Sequence, residues 1–194
     1  MAHDGVVHKT PEEAAAHAAE TSSGDTAPTP NIPFPVDIRA EFELIDQSGQ
    51  EVTQADFAGQ PMAIFFGYAN CEAICSVALP RLGQALDMLG DDADRIAPLL
   101  ITVDPGRDTP ENMGPALAKW HPRLRGLTGS EEALAAARDA FQVKSEKVFD
   151  DPEGNPIYAH GSFVYLISED GKVLTLMPPI LGPERMAEIM RSYL

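Results

Sequence analysis

The chain has 194 residues, of which 44% are hydrophobic, and it carries a formal net charge of −16. This length and composition are sufficient for one domain with a substantial core. The acidic charge argues against binding to nucleic acid, which needs a basic surface, and against adhesion of the folded domain to an anionic membrane.

The N-terminal segment differs in composition from the rest of the chain. Residues 1–35 are rich in Ala, Glu, Thr, Ser and Pro, which predicts a flexible tether, and a folded domain is expected over residues 36–194. The sequence contains no run of about 20 apolar residues and no signal-peptide pattern. These features leave two locations open: the cytosol, or a membrane surface to which a preceding segment would anchor the chain.

Apolar periodicity and turn residues predict alternating strands and helices after residue 36. The first elements are a hairpin over 42–52, a buried strand over 62–66 and a long helix over 72–89. The later elements are, in chain order, a strand over 96–103, a helix over 110–120, a strand over 124–127, an Ala-rich helix ending at Phe141, a strand over 144–149, a polar loop over 150–156, a hairpin of strands over 162–167 and 172–177, and a helix over 183–193. This alternation predicts an α/β fold whose sheet is covered on both faces.

Three local signals predict helix ends. Thr109 is expected to cap the helix that begins with Pro110. Thr128 and Glu131 have the spacing of a capping box. His121 is interpreted as a C-terminal cap favoured by the helix dipole.

Cys71 and Cys75, the only cysteines of the chain, lie between the buried strand and the long helix. A helix N-terminus lowers the pKa of a thiol, and residues four apart share one helix face, so both sulfurs can point to one place. A CxxC-like pair that opens the first long helix of a βαβ unit points to a thioredoxin-like fold, although three residues separate the cysteines here. Two thiolates favour a soft or borderline ion, such as copper(I) or zinc. The alternative is that the two are small buried hydrophobes, and Cys75 does lie on the apolar stripe of its helix.

His160 is the best candidate for a third ligand. It is interpreted as the start of the late strand, after a polar loop long enough to move. An imidazole there would complete a three-coordinate site of two sulfurs and one nitrogen. A partly exposed surface histidine is the competing interpretation, and His121 is the competing ligand.

Four stretches resemble the Sco/SenC family of copper chaperones. They are FFGYANCEAIC at 65–75, TVDPGRDTPE at 102–111, HPRLRGLTG at 121–129 and HGSFVYL at 160–166. The resemblance implies a thioredoxin-like fold with an N-terminal β-hairpin and an inserted β-hairpin before the last strands. It also implies that Cys71, Cys75 and His160 bind copper, as Cu(I), Cu(II) or both.

The resemblance implies a function in assembling the dicopper (CuA) centre of cytochrome c oxidase, with the oxidase subunit that carries this centre as partner. Another copper chaperone or a thioredoxin-like reductase is a further expected partner, and the domain is expected to be monomeric. Members of the family are usually held on the outer face of an energy-transducing membrane, such as the periplasmic face, by one N-terminal helix. Residues 1–35 would then be the tether that follows this anchor.

The sequence departs from the family pattern at four positions. Glu72 and Ser76 follow the two cysteines where the family usually has proline. Ala159 precedes the histidine where an Asp is common, and Gly161 follows it in place of Ser or Thr. Glu72 is expected to raise the pKa of the neighbouring thiols and to favour a bound cation.

Two other functions use the same atoms. A thiol–disulfide oxidoreductase would use Cys71 and Cys75 as a redox pair to keep partner cysteines reduced. A copper or redox sensor would bind the metal without delivering it. We expect a metallochaperone and not an enzyme. A peroxiredoxin is disfavoured because residues 67–70 supply neither the Thr nor the Pro that it needs.

Overall fold

The computed structural model describes residues 2–3, 6–7, 38–69 and 75–194. The chain divides into two units, Met1–Asp37 and Ile38–Leu194. In the first unit, strand β1 (Ala2–His3) pairs antiparallel with strand β2 (Val6–Val7). The rest of the predicted tether lies outside the described residues, and its flexibility stays a prediction.

The second unit is built on a seven-stranded mixed sheet. Its strands are β3 (Glu43–Asp46), β4 (Glu51–Thr53), β5 (Met62–Gly67), β6 (Ala97–Thr102), β7 (Arg125–Thr128), β10 (Val164–Ile167) and β11 (Val173–Met177). They lie side by side in the order β11-β10-β5-β6-β7-β3-β4. The three central strands β5, β6 and β7 are parallel, and the outer pairs are antiparallel.

Four α-helices accompany the sheet within the described residues. They are α1 (Cys75–Leu89), α2 (Pro110–Leu117), α3 (Glu131–Ala140) and α4 (Pro183–Arg191). Every residue of β5 and β6 is buried, as expected for parallel strands covered on both faces. The predicted α/β class, with a sheet covered on both faces, is therefore confirmed. None of these helices combines the length and apolar content that a membrane span requires.

The order of the strands determines where the end of β5 lies. The chain leaves β5 at Gly67, and helix α1 then leads back to the start of the parallel strand β6. On the other side, β10 runs antiparallel to β5 and its first residue, Val164, pairs with Phe65. The segment that enters β10 therefore lies beside the carboxyl end of β5.

The inserted hairpin is a separate two-stranded sheet. Strand β8 (Ser145–Asp150) pairs antiparallel with β9 (Pro156–His160), and neither pairs with the seven-stranded sheet. One sequence interpretation was wrong here. His160 ends β9 and does not begin β10, because it pairs with Ser145 across the hairpin. The predicted polar, turn-rich loop before it does contain a hydrogen-bonded turn, in which Asp151 accepts from the Asn155 backbone N–H at 2.7 Å and from its side-chain amide at 2.9 Å.

Helix ends also differ from the sequence predictions. Thr128 does not cap α3, because it belongs to β7 and pairs with Ile45. Ser130 is the cap, and its hydroxyl accepts the Ala133 N–H at 3.1 Å. Thr109 occupies the predicted N-cap position of α2, but its side chain makes no capping hydrogen bond.

Candidate metal centre

The two cysteines follow the carboxyl end of β5. Tyr68 and Ala69, directly after the strand, are 2% and 4% exposed. Cys71 lies outside the described residues, and Cys75 is the first residue of α1 with only its backbone described. Chain connectivity therefore places both cysteines between the end of β5 and the first turn of α1. The positions of their sulfur atoms stay a prediction.

His160 lies at the same end of the sheet. Its half-buried ring packs edge-to-face against the rings of Phe65 and Tyr68, with centroid distances of 6.0 and 6.1 Å. Phe65 is near the end of β5. Tyr68 begins the cysteine segment, residues 68–75, which contains Cys71 and Cys75. The fold thus brings the predicted nitrogen ligand next to the start of the cysteine segment, although 85 or more residues separate them in sequence.

The orientation of the His160 ring determines which nitrogen can bind a metal. Its Nδ1 lies 2.9 Å from the carbonyl oxygen of Gly161. A carbonyl only accepts hydrogen bonds, so this contact requires Nδ1–H as the donor, and the lone pair of the neutral ring then resides on Nε2. Metal-binding histidines commonly donate their second ring N–H in this way. The Gly161 carbonyl therefore supplies the acceptor for the Nδ1–H of His160.

Two carboxyl groups are buried beneath this end of the sheet. Asp104 and Asp108, which follow β6, are 2% and 1% exposed. Oδ2 of Asp108 accepts the Ala69 backbone N–H at 2.9 Å and the Thr102 hydroxyl at 2.7 Å. Burial raises the pKa of Asp108, while these hydrogen bonds act in the opposite direction. Asp108 thereby anchors the backbone two residues before Cys71.

Arg107 lies between the buried carboxyls and the inserted hairpin. Its Nε donates to Asp104, and its Nη2 donates to the carbonyl oxygen of Pro156 at 2.8 Å. The guanidinium carbon lies 5.1 Å from the centroid of the Tyr68 ring. Arg107 therefore contacts both the cysteine segment and the strand that ends at His160.

Asp104, Arg107 and Asp108 were not among the predicted site residues. A signal was present, because three charged residues within five positions directly follow a wholly buried strand. Charged groups at the carboxyl end of a central parallel strand lie at the edge where sites of α/β sheets form. Only the pairing of β6 with β5 shows which neighbouring segment they contact.

His121 lies at the end of α2, where its backbone N–H donates to Leu117 O at 3.2 Å, and it is not close to Cys75. Its Nδ1 accepts the Arg123 backbone N–H at 3.2 Å, and its Nε2 lies 3.5 Å from Asp87 Oδ1. The residue is only 7% exposed. Asp87 is about 18 Å from Cys75 along α1 at a rise of about 1.5 Å per residue. The C-terminal cap is therefore made by the backbone N–H of His121, while its ring packs against α1.

The part of the chain whose side chains are described contains no group of three or more His, Cys, Asp or Glu residues arranged to hold a metal ion. The side chains of Cys71 and Cys75 are outside that part.

The sequence as a whole identifies the family. Residues 31–194 match the family described as SCO1/SenC. The chain belongs to the SCO1/SenC family. A SCO2-like protein of Rickettsia conorii is 35% identical over 158 residues, which cover 81% of this chain and 77% of that relative.

Solved structures of Sco proteins share the fold. The copper-bound ScoI of Bradyrhizobium japonicum is 34% identical with a TM-score of 0.74, and the alignment covers 81% of this chain and 99% of ScoI. Yeast Sco1 with copper bound is 28% identical with a TM-score of 0.72, over 82% of this chain and 91% of Sco1. The β3–β4 hairpin and the inserted β8–β9 hairpin thus belong to a Sco-type thioredoxin-like domain.

Proposed function

We propose that this SCO1/SenC protein is a copper metallochaperone that helps to assemble the dicopper centre of cytochrome c oxidase. Copper is its cargo, bound by the thiolates of Cys71 and Cys75 and by Nε2 of His160. Family membership and the copper-bound Sco neighbours support the metal.

The placement of His160 is the observation that carries the proposal. Without the fold it would be one surface histidine, 85 residues beyond Cys75. Its ring packs on Phe65 and Tyr68 at the point where the cysteine segment begins. The Gly161 carbonyl holds Nδ1, which leaves Nε2 as the ligand atom.

The ligand set suits metal transfer. Two thiolates and one imidazole satisfy copper(I), which accepts soft ligands at low coordination number. Copper(II) would need a fourth ligand, from water or a nearby protein group. A site with only three protein ligands leaves space for an incoming thiolate of a partner, so copper can pass by ligand exchange without a bond being made or broken in the polypeptide.

Exposed apolar side chains surround the site end of the sheet. Val77 in the first turn of α1 is 37% exposed, Phe163 just before β10 is 41% exposed, and Ile180 just after β11 is 78% exposed. Strand pairing of Val164 with both Phe65 and Met177 brings these segments to the same edge. Such side chains favour contact with the partner that receives copper.

The partner in this proposal is the oxidase subunit that carries the dicopper centre, with another copper chaperone or a thioredoxin-like reductase acting before it. The location is the periplasm or the equivalent outer face of an energy-transducing membrane, where an N-terminal segment would anchor the chain. Residues 1–35 would give the monomeric domain reach along that surface.

Anaerobic titration of the reduced domain with copper(I) tests the site. We expect one tightly bound copper per domain after removal of the first 35 residues, because the described part offers no second metal cluster. Competition with a copper(I) chelator and metal analysis give the stoichiometry. A value that stays well above one would reveal a site other than the one proposed.

The thiol–disulfide oxidoreductase remains the rival function. The position of Cys75 at the first residue of α1 favours it to the extent that a helix N-terminus stabilises a thiolate. Its activity would not need His160. Fast disulfide exchange that is unchanged in His160→Ala, without stable copper binding, would support the reductase. Tight binding without delivery to any partner would support a copper sensor.

A further inference from the structure

The β8–β9 hairpin does not pair with any strand of the seven-stranded sheet. The strands of the hairpin pair only with each other, and the Gly161 N–H closes the hairpin by donating to Lys144 O at 3.2 Å. The position of His160 relative to β5 therefore depends on the short link to Val164, which pairs with Phe65, and on side-chain contacts. Two such contacts are the edge-to-face contacts of the His160 ring with the rings of Phe65 and Tyr68.

Arg107 provides a contact at the other end of β9. Its Nη2 donates to the carbonyl oxygen of Pro156, the first residue of that strand, at 2.8 Å. Its Nε is held at the same time by Asp104, whose own N–H donates to the Thr102 hydroxyl at 2.9 Å. The guanidinium group is thus held at the end of β6 by Asp104. Its planar fork contacts Asp104 through Nε and the Pro156 carbonyl through Nη2 at the same time.

The Tyr68 ring extends this contact toward His160. The Arg107 guanidinium lies over one part of the ring, with 5.1 Å between the guanidinium carbon and the centroid. The rings of Tyr158 and His160, both in β9, meet the Tyr68 ring edge-to-face at 6.2 and 6.1 Å. A change in the position of Arg107 would therefore reach His160 by two routes, through the Pro156 carbonyl and through the Tyr68 ring.

We propose that Arg107 is a positioning residue of the copper site, which holds the β8–β9 hairpin against β6 so that His160 faces the cysteine segment. This inference rests on the proposed function, because it assigns Arg107 an effect that is transmitted through His160. Arg107 itself does not touch the metal. A simple counter-ion for the buried Asp104 would stabilise the fold without acting through His160.

Arg107→Lys is the decisive variant. Lysine keeps the positive charge beside Asp104, so no buried carboxylate is left without a partner, but its single ammonium group cannot reproduce the planar fork to Pro156. We expect copper affinity to fall about 10–100-fold, as is typical when the group that orients a ligand is lost. In the His160→Ala background the same change should alter affinity by less than about threefold, because no imidazole remains to be positioned.

Arg125→Lys is a matched control. Arg125 also pairs with a buried carboxylate, at 3.1 Å from Asp46 Oδ2, and its guanidinium carbon lies 5.1 Å from the centroid of the Phe57 ring. It is on β7, two strands away from β5. This variant should leave copper affinity unchanged, even if thermal unfolding shows a similar loss of stability.

Two spectroscopic measurements separate positioning from stability. In the reduced, metal-free protein, the NMR signals of the His160 ring should shift in Arg107→Lys and stay in place in Arg125→Lys, because ring currents of Phe65 and Tyr68 depend on the ring position. In the copper(II) form, nitrogen coupling in the electron paramagnetic resonance spectrum should weaken only in Arg107→Lys.

The results of these experiments distinguish failure of the role of Arg107 from failure of the proposed ligand set. Equal loss of affinity in the wild-type and His160→Ala backgrounds, no loss in either, or the same loss in Arg125→Lys would overturn the role of Arg107 alone. If His160→Ala itself leaves copper affinity intact, the proposed ligand set fails as well. A second variant, Arg107→Met combined with Asp104→Asn, removes both charges and should give the same background-dependent loss if Arg107→Lys does not fold.

Discussion

His160→Ala is expected to weaken copper binding by at least about 10–100-fold, since loss of a direct ligand should cost no less than loss of a group that orients one. Some copper(I) should remain on the two thiolates in a two-coordinate or solvent-completed site. Copper(II) should suffer more, because it depends on nitrogen and on a planar ligand set. Chelator competition for each oxidation state measures the two losses separately.

The fold should tolerate this change. The His160 ring is half-buried, and removal of its contacts with Phe65 and Tyr68 should cost about 1 kcal/mol. His160→Phe is a useful companion, because it keeps an aromatic ring against both neighbours and lacks the nitrogen. Both variants should lose copper affinity to the same degree.

His121→Asn is the control for a histidine outside the site. The asparagine side-chain oxygen can accept the Arg123 N–H that Nδ1 accepts in the native protein, so the buried contact is preserved. Copper affinity should stay at the native value. If His121→Asn abolishes binding and His160→Ala binds normally, the ligand assignment is wrong.

Oxidation of the cysteine pair is expected to abolish copper uptake. Two thiols release two protons and two electrons to an added oxidant, such as oxidised glutathione, and form one sulfur–sulfur bond. Four-residue spacing at the start of a helix allows Cα separations near the range of about 4.4–6.8 Å that disulfides require, if the first turn loosens slightly. Mass spectrometry should show a loss of two hydrogens per chain together with the loss of copper uptake.

Reduction should restore binding in full, which distinguishes a disulfide from irreversible oxidation of the thiols. Covalent dimers as the main product would contradict an intramolecular pair. Cys71→Ser provides the control. It cannot form the internal disulfide, so its monomer should not show the loss of two hydrogens after the same treatment.

The order of strands and helices could be predicted because it follows from short-range patterns. The apolar runs at β5 and β6 and the helical stripe of α1 each specify one element by periodicity, and the structure has those elements. Their boundaries were less certain, as Thr128 shows. It has the residue type and spacing of a cap, but pairing with Ile45 keeps it in β7.

The site could be predicted only in part. Cys71 and Cys75 were recognisable because they are close in sequence at a strand–helix junction. His160 lies near that junction, as expected, against Phe65 and Tyr68. Its strand was assigned wrongly, since pairing with Ser145 depends on the hairpin and not on its own periodicity. The contact of Arg107 with Pro156 spans 49 residues, and no local pattern predicts it.

Transfer of copper(I) to an oxidase domain is the activity that distinguishes a metallochaperone from a reductase or a sensor. The fully reduced, copper(I)-loaded protein is mixed anaerobically with the copper-free dicopper domain of a cytochrome c oxidase subunit whose cysteines are already reduced, and metal is quantified on both proteins after separation. We expect copper to move to the oxidase domain, and we expect His160→Ala, which holds copper less tightly, to fail to load or deliver a comparable amount. Retention of copper by the wild-type protein, with disulfide reduction of the oxidase domain as its only measurable effect, would contradict the proposed function.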